Sequence, residues 1–445
     1  MHRRDFLSAL GGTMVAASAA AVARGATGWK AGAAAIDITP ARALWMGGFA
    51  RRRLPSQGVA LPLSAKALAL QSGERRPAIL ITVDLLGLTA GITGRVAAEL
   101  ERRHKLRRAD LLFNASHTHC GPVVDEQLSV AYDLSPDQWA AIREYTADLE
   151  RKLAAVAADA LSRLRPARIG YARGTAAFAA NRRVKFTPDG PVDHSVPVLR
   201  VDGPDASPLA IAFGYACHNT TLQDDFVQYH GDYAGVAQAM LQRRHPGSVA
   251  LFLAGCGADA NPRPRGTLQL VEQHGTSLAD AVEAVLDAAT SIDPVLETSY
   301  DTVDLPFADP ETRERWRRQL DIEDVYLRRH AALMDAAAAR DGRLPGSQAA
   351  PVQVWRFGSS MALVALGGEV VVDYALRIAR EHPERRMWVA GYSNDVFGYL
   401  PSLRVLREGG YEGADAMIYY GRPGPFSADV EELVVRKVRH MLRKR

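Results

Sequence analysis

The sequence predicts an α/β fold: a central mixed or mostly parallel sheet flanked by helices, with the functional residues in loops at the carboxyl ends of strands. Three observations carry that expectation. Short apolar runs of strand length recur along the chain, longer segments with apolar residues at helical spacing lie between them, and clusters of His, Asp, Asn, Glu and Gly follow several of the short runs at once. In open α/β sheets such strand-end loops are where ligands bind, because segments distant in sequence converge there.

The elements can be taken in order. At the start, Arg3-Arg4-Asp5-Phe6-Leu7 precedes a small, weakly apolar stretch from Ala9 to Ala23, and Ala21-Val22-Ala23 supplies a small-x-small cleavage site. Residues 1–23 are therefore expected to be a twin-arginine signal peptide, with the mature protein periplasmic or secreted and no transmembrane span. The remainder, 24–445, is expected to form one domain. The runs Ala78–Leu85, Ala109–Asn114, Leu209–Ala216, Val249–Ala254, Met361–Leu366 and Met387–Ala390 read as buried strands. Ile92–Lys105, Pro136–Leu164, Val236–His245 and Leu268–Ala289 read as amphipathic helices. Glu311–Arg340 is a charged excursion of helical pattern, an insertion or surface hairpin.

Composition narrows the function classes. With 47% hydrophobic and 23% charged residues the chain is an ordinary globular one, and its formal charge of +4 leaves nothing for nucleic acid to grip beyond the run Arg436–Arg445, which suits the end of a solvated helix. Three cysteines make no disulfide framework; Cys120, Cys217 and Cys256 each sit beside a polar cluster and read as small fillers of a pocket floor. No feature of the sequence sets an oligomeric state.

The polar clusters carry the chemistry. His117 and His119, in Asn114-Ala-Ser-His-Thr-His-Cys-Gly-Pro122, alternate with period two and so face one cavity in an extended segment. His218 follows the strand ending at Ala216, and Glu369 follows Gly367-Gly368, a pair that lets the backbone turn tightly. Two or three imidazoles with one carboxylate are the donor set of a catalytic zinc site, so Zn2+ is the expected ion. Asp232 and Asp259, each beside a strand-end cluster, are expected to orient imidazoles or to hold loops, with a helix cap as the plainer alternative. Gly391 to Tyr420, dense in glycine and tyrosine, is expected to wrap a pocket.

Taken together, Asp37-Ile-Thr-Pro40, Met46-Gly-Gly-Phe49, Ser116-His-Thr-His-Cys-Gly-Pro122, Asn181-Arg182, His218 with Asp232 downstream, Gly368-Glu369 and the spacing from Tyr399 to Tyr411 resemble the catalytic N-terminal domain of the neutral, non-lysosomal ceramidases. The resemblance covers nearly the whole mature chain. It implies a zinc-dependent amide hydrolase acting on a small-molecule or lipid N-acyl substrate. It also implies that His117, His218, Glu369 and Tyr399 bind zinc, that His119 and Tyr411 face the substrate carbonyl, and that Arg182 lines the pocket. Two departures stand out: Asn261 occupies the place of the family's serine nucleophile, and no residues remain for the immunoglobulin-like C-terminal domain of typical members. With Asn261 there as a hydrogen-bond donor, attack falls to a metal-activated water. A metallo-esterase or other carbonyl hydrolase, or a zinc-containing periplasmic binding protein without catalysis, would use the same residues.

Overall fold

A computed structural model describes residues 28–308 and 317–443. The expected leader, residues 1–23, lies outside the described residues. In chain order the strands are β1 (Trp29–Asp37), β2 (Ser64–Ser72), β3 (Ala78–Val83), β4 (Leu111–Ala115), β5 (Arg165–Thr175), β6 (Ala179–Asn181), β7 (Ser195–Asp202), β8 (Pro208–Tyr215), β9 (Val249–Ala254), β10 (Ala260–Pro262) and β11 (Thr290–Ser291). They continue as β12 (Leu296–Pro306), β13 (Ser347–Phe357), β14 (Met361–Leu366), β15 (Glu369–Val370), β16 (Arg386–Ala390) and β17 (Tyr399–Leu400). The larger sheet has nine strands in the order β4-β3-β2-β1-β5-β7-β8-β9, with β11 beside β5; the smaller runs β12-β13-β14-β16.

The alternation of side chains stacks these sheets. On β3, Ile79, Ile81 and Val83 face one way and pack with Leu149, Leu153 and Val156 of a helix, whereas Ala78 and Leu80 face the other way, into a cluster with Trp355, Leu363 and Trp388 of the smaller sheet. On β14, Leu363 and Ala365 join that shared core, while Ala362, Val364 and Leu366 face helices on the far side. Four layers result, helices, nine strands, four strands and helices, so the sheet expected from sequence is two sheets face to face. The outer helices of the larger sheet are α1 (Ala90–His104), α2 (Pro136–Ser162), α3 (Asp232–Arg244) and α4 (Leu268–Leu286). Ser135 and Gln138 close a capping box ahead of Pro136, which fixes where α2 begins. A separate helix α5 (Val325–Asp341) occupies part of the predicted excursion, of which residues 311–316 are outside the described set. The smaller sheet is covered by α6 (Val372–Glu381) and α9 (Val430–Arg443), and between them lie the short turns α7 (Leu403–Glu408) and α8 (Gly410–Gly413).

All six strands read from the sequence are present, and they form three parallel pairs: β3 with β4, β8 with β9, and β14 with β16. Most of the other pairings in the two large sheets are antiparallel. Strands buried on both faces show up as unbroken apolar runs; those such as β1, with its Ala-Gly-Ala-Ala-Ala core, or β12, with alternating burial, do not. The three parallel pairs point their carboxyl ends to one place. There the fully buried Asn114 side chain donates to Gly391 O (2.8 Å) and to Ser393 Oγ (3.1 Å), and accepts from Ala254 N (2.8 Å), so one amide ties together the ends of β4, β9 and β16.

Candidate metal centre

Each parallel pair is followed by one candidate donor, after β4, β8 and β14 respectively. The loop after β4 places His117 in the left-handed region (φ 62°), and a parallel bridge between Thr118 and Asn219 sets it against the loop carrying His218. Beyond β14, Gly368 (φ 82°) makes the turn that leads into β15, where Glu369 pairs in register with Tyr399 of β17.

The imidazoles are held by carbonyls. His117 Nδ1–H donates to Leu86 O (2.6 Å) and His218 Nδ1–H donates to Gly257 O (3.0 Å). Those bonds fix the tautomer of each ring and leave the Nε2 lone pairs pointing into the centre. Burial, reinforced by the charge of Arg182, holds His218 at a pKa of about 4, so the ring is neutral at pH 7. Glu369 Oε2 stands 3.1 Å from both Nε2 atoms, yet it is buried without a hydrogen-bond partner. With Nδ1–H of each ring committed to a carbonyl, an unprotonated Nε2 faces the carboxylate oxygen lone pair to lone pair across 3.1 Å, an arrangement that a cation between them would relieve. Tyr399 Oη is 3.3 Å from His218 Nε2, and His119 Nε2 is 3.3 Å from His117 Nε2. Tetrahedral coordination with bonds of about 2.0–2.1 Å puts ligand atoms roughly 3.3 Å apart. The residues therefore fit a zinc-sized ion, and the three histidines alone bring their ligand atoms within 4.8 Å of one another.

His119 differs from the other two rings. Its Nδ1 is buried with no hydrogen-bond partner, Phe49 packs on it at 4.6 Å between ring centres, and burial together with the neighbouring histidines pushes its pKa well below the usual value. Its Nε2 approaches His117 Nε2 at 3.3 Å, so Nδ1 is the ring nitrogen left uncommitted. Gly48 (φ 98°) lies so close that a β-carbon there would overlap the His119 ring.

The oxygen donors are braced from the side. Arg182 donates to Tyr399 Oη (2.9 Å) and to Glu412 Oε1 (2.6 Å), and Tyr420 Oη donates to Glu369 Oε1 in a short contact. Burial holds the Tyr399 phenol well above its usual pKa, against the pull of Arg182, so only a bound cation would bring it to the phenolate. Tyr411 lies 5.4 Å from Tyr399 between ring centres, 44% exposed at the mouth.

A cavity of about 190 Å³ opens onto His117, His119, Glu369, Tyr399 and Tyr411, and its far wall is apolar: Phe49, Leu86, Leu128 and Ala131. A second, larger cavity of about 480 Å³ abuts it across Tyr411 and includes Asn261. Asn261 Oδ1 accepts from Thr220 Oγ1 (3.4 Å). Neither aspartate brings its carboxylate to an imidazole, although the Asp232 backbone N–H donates to His230 Nδ1 (2.8 Å). Asp232, the first residue of α3, accepts from Leu222 N (2.9 Å) and Tyr233 N (2.7 Å); Asp259 accepts from Val372 N (2.9 Å) at the start of α6 and from Asn181 Nδ2 (3.1 Å). Both hold loops, one of the two roles expected of them, and the rings of His117 and His218 are oriented by the Leu86 and Gly257 carbonyls. The sequence reading assigned no role to Tyr420 or to Tyr392, whose ring lies 4.3 Å from that of His117; their one signal was membership of the tyrosine-rich stretch.

A family model described as neutral/alkaline non-lysosomal ceramidase, N-terminal, matches residues 29–262, more than half of the chain. The chain belongs to the neutral/alkaline non-lysosomal ceramidase family. The ceramidase match ends before Glu369, Tyr399 and Tyr411, but the fold likeness runs on through them. A structure described as ceramidase complexed with C2 superposes with a TM-score of 0.72 at 16% identity, covering 92% of this chain and 74% of that one. Neutral ceramidase from Pseudomonas aeruginosa gives 0.71 at 17% identity, covering 94% and 76%. At such identities the likeness speaks for the fold. No curated protein sequence matches the chain. As a ceramidase-family hydrolase, the protein has a buried histidine cluster able to bind a metal, and no described helix is long and apolar enough to cross a membrane.

Proposed function

We propose that this ceramidase-family protein is a zinc-dependent hydrolase of linear amides, cleaving an N-acyl substrate at the centre formed by His117, His218, Glu369 and Tyr399. The observation that carries the reading is the set of inward-facing lone pairs spaced 3.1–3.3 Å apart beside an apolar cavity. When bound, zinc supplies Lewis acidity and a water acidified toward neutral pH.

The chain's own groups do the rest. The apolar wall of Phe49, Leu86, Leu128 and Ala131 receives the acyl chain and excludes water from it. Tyr411, at the mouth, donates to the developing oxyanion, and His119, with Nδ1 uncommitted, carries a proton toward the leaving amine. Arg182 positions Tyr399 through its 2.9 Å hydrogen bond. Of the hydroxyls on the His117 loop, Thr118 Oγ1 is committed to His230 O (2.7 Å). Asn261 has no proton to lose near neutral pH, so acyl transfer to the protein is not expected.

Elemental analysis of the purified protein, paired with an assay of amine release from an N-acyl amine, tests the reading. About one zinc per chain, amine release that stops on chelation, and indifference to serine-directed phosphonates are the expected results. A protein that hydrolyses amides at full rate after its metal is removed, or that forms a phosphonate adduct on serine, would sink it.

A further inference from the structure

The two cavities that meet at Tyr411 have opposite character. The one at the candidate metal centre has an apolar wall of Phe49, Leu86, Leu128 and Ala131, and its one arginine, Arg51, is paired with Asp224. The other, about 480 Å³ in volume, is lined by Arg182, Arg183, Lys185, Arg263 and Arg265, with Glu412 as its one acidic residue. Two of these cations are neutralised within the protein. Arg182 pairs with Glu412, and Arg183 pairs with Glu408 (2.9 Å) as well as with Glu412. Among the described residues, Lys185, Arg263 and Arg265 have no ion pair. Elsewhere about half of the described arginines do have one, among them Arg95 with Glu150, Arg244 with Asp280 and Arg404 with Asp373, so what sets this place apart is the gathering of three unpaired cations in one concavity. Like charge gathers here without relief: burial and the neighbouring Arg182 and Arg263 lower the pKa of Arg265. The floor is polar too. Asn261 is buried, and its amide nitrogen makes no hydrogen bond to the described residues while its oxygen accepts from Thr220.

Two explanations fit a cluster of exposed cations, a solvated rim and a binding site. A rim would stand on a convex surface and would have no reason to meet the metal cavity. These cations line a concavity that shares Tyr411 with it, and they do so in a chain whose net charge is only +4. An amide bond held beside Tyr411, its acyl chain in the apolar cavity, sends its nitrogen substituent toward the arginines.

Resting on the amide-hydrolase reading, we propose that this cavity binds an anionic group on the amine half of the substrate. The substrate class is then N-acylated amines that carry a carboxylate, sulfonate or phosphate close to the scissile nitrogen. Arg263 and Arg265 supply charge and forked donors, and Asn261 supplies a neutral donor at the floor. Where the family's serine would stand, the chain holds an amide suited to an oxyanion ligand.

The test compares partners that differ only in charge. For the metal-loaded enzyme, hydrolysis of N-octanoylglycine is measured against N-octanoylglycinamide. Binding is measured separately by calorimetry with the uncleavable ketones 4-oxoundecanoate and 4-oxoundecanamide, in which CH2 replaces the amide N–H. The anion of each pair is expected to be favoured by about tenfold, in kcat/KM and in Kd, and the preference to shrink to near one in an Arg263→Ala/Arg265→Ala double variant. Equal affinity for the two ketones, or a preference that survives the double variant, would overturn the proposal whether or not the enzyme cleaves either amide. So would binding to phosphatidylglycerol vesicles that the double variant loses while the soluble pair is bound alike, a result that assigns the arginines to a membrane surface. Preference among the ketones with neither amide cleaved would instead sink the amide-hydrolase reading and leave the anion site standing.

Discussion

The nitrogen and oxygen groups of the proposed centre come from different sheets, and they are secured in different ways. His117, His119 and His218 come from loops of the nine-stranded sheet, and two of them are locked by backbone carbonyls, Leu86 O and Gly257 O. Glu369 and Tyr399 come from the segment that follows the smaller sheet and are braced by side chains, Tyr420 and Arg182. A carbonyl inside a loop can be altered only by moving the loop, whereas a side-chain brace can be exchanged residue by residue. The imidazole side is therefore the fixed half of the centre and the oxygen side the adjustable half.

The largest effect should come from removing a donor on either side. Glu369→Ala and His117→Ala are each expected to take metal content from about one per chain to near zero and to abolish turnover while the far-ultraviolet circular dichroism stays native, because a catalytic ion contributes less to folding than a structural one. Metal retained in both variants would break the assignment of the two halves to one centre. A smaller effect should separate His119 from the ring beside it. Gly48→Ala pushes a methyl group against His119 and leaves the carbonyl-held rings alone, so turnover should fall by roughly a hundredfold with the metal still bound. Loss of the metal in that variant would make His119 a ligand and the centre a three-histidine one.

The smallest effect concerns how the two sides are joined. Asp395, after β16, accepts from Ala90 N (3.0 Å) at the start of α1, and burial raises its pKa to about 6. Between the ordinary carboxyl value of about 4 and that of the folded protein, the folded state holds a proton that the unfolded chain has lost. The stability contribution of Asp395 thus falls as pH rises from about 4 to about 6, and is level above. Asp395→Asn keeps the acceptor and removes the charge. Its melting temperature should match that of the parent near pH 4 and exceed it by on the order of a few degrees at pH 7. An equal offset at both pH values would show that the carboxylate does not titrate in this window.

What could be read in the sequence follows from the same division. The three parallel pairs are buried on both faces, and their apolar runs announced them; the donors placed directly after them, His117, His218 and Glu369, came with them. Strands such as β2, which carries the buried Lys66, or β5, with Pro166 and Gly170, pair antiparallel and break the apolar pattern, so the second sheet and the four-layer stacking stayed hidden. Tyr399, Tyr411 and Arg182 were reached through family resemblance alone. Leu86 O and Gly257 O could not have been found, since a carbonyl belongs to every residue and carries no signature of its own. Of the two roles open to Asp259, holding a loop is the one its contacts serve, because the helix terminus at Val372 and the Asn181 amide take its oxygens.

Asn114 gives these separate pieces a common fate. Its amide spans the ends of β4, β9 and β16, which belong to both sheets, and it is fully buried. Parting the sheets would break the Asn114 Nδ2 bonds to Gly391 O and Ser393 Oγ, and a partial opening that kept these groups dry would cost about 1–3 kcal/mol for each one left unpaired. The sheets should therefore open as one cooperative unit, and a chain divided between them would leave neither fragment with a sealed edge at the catalytic end.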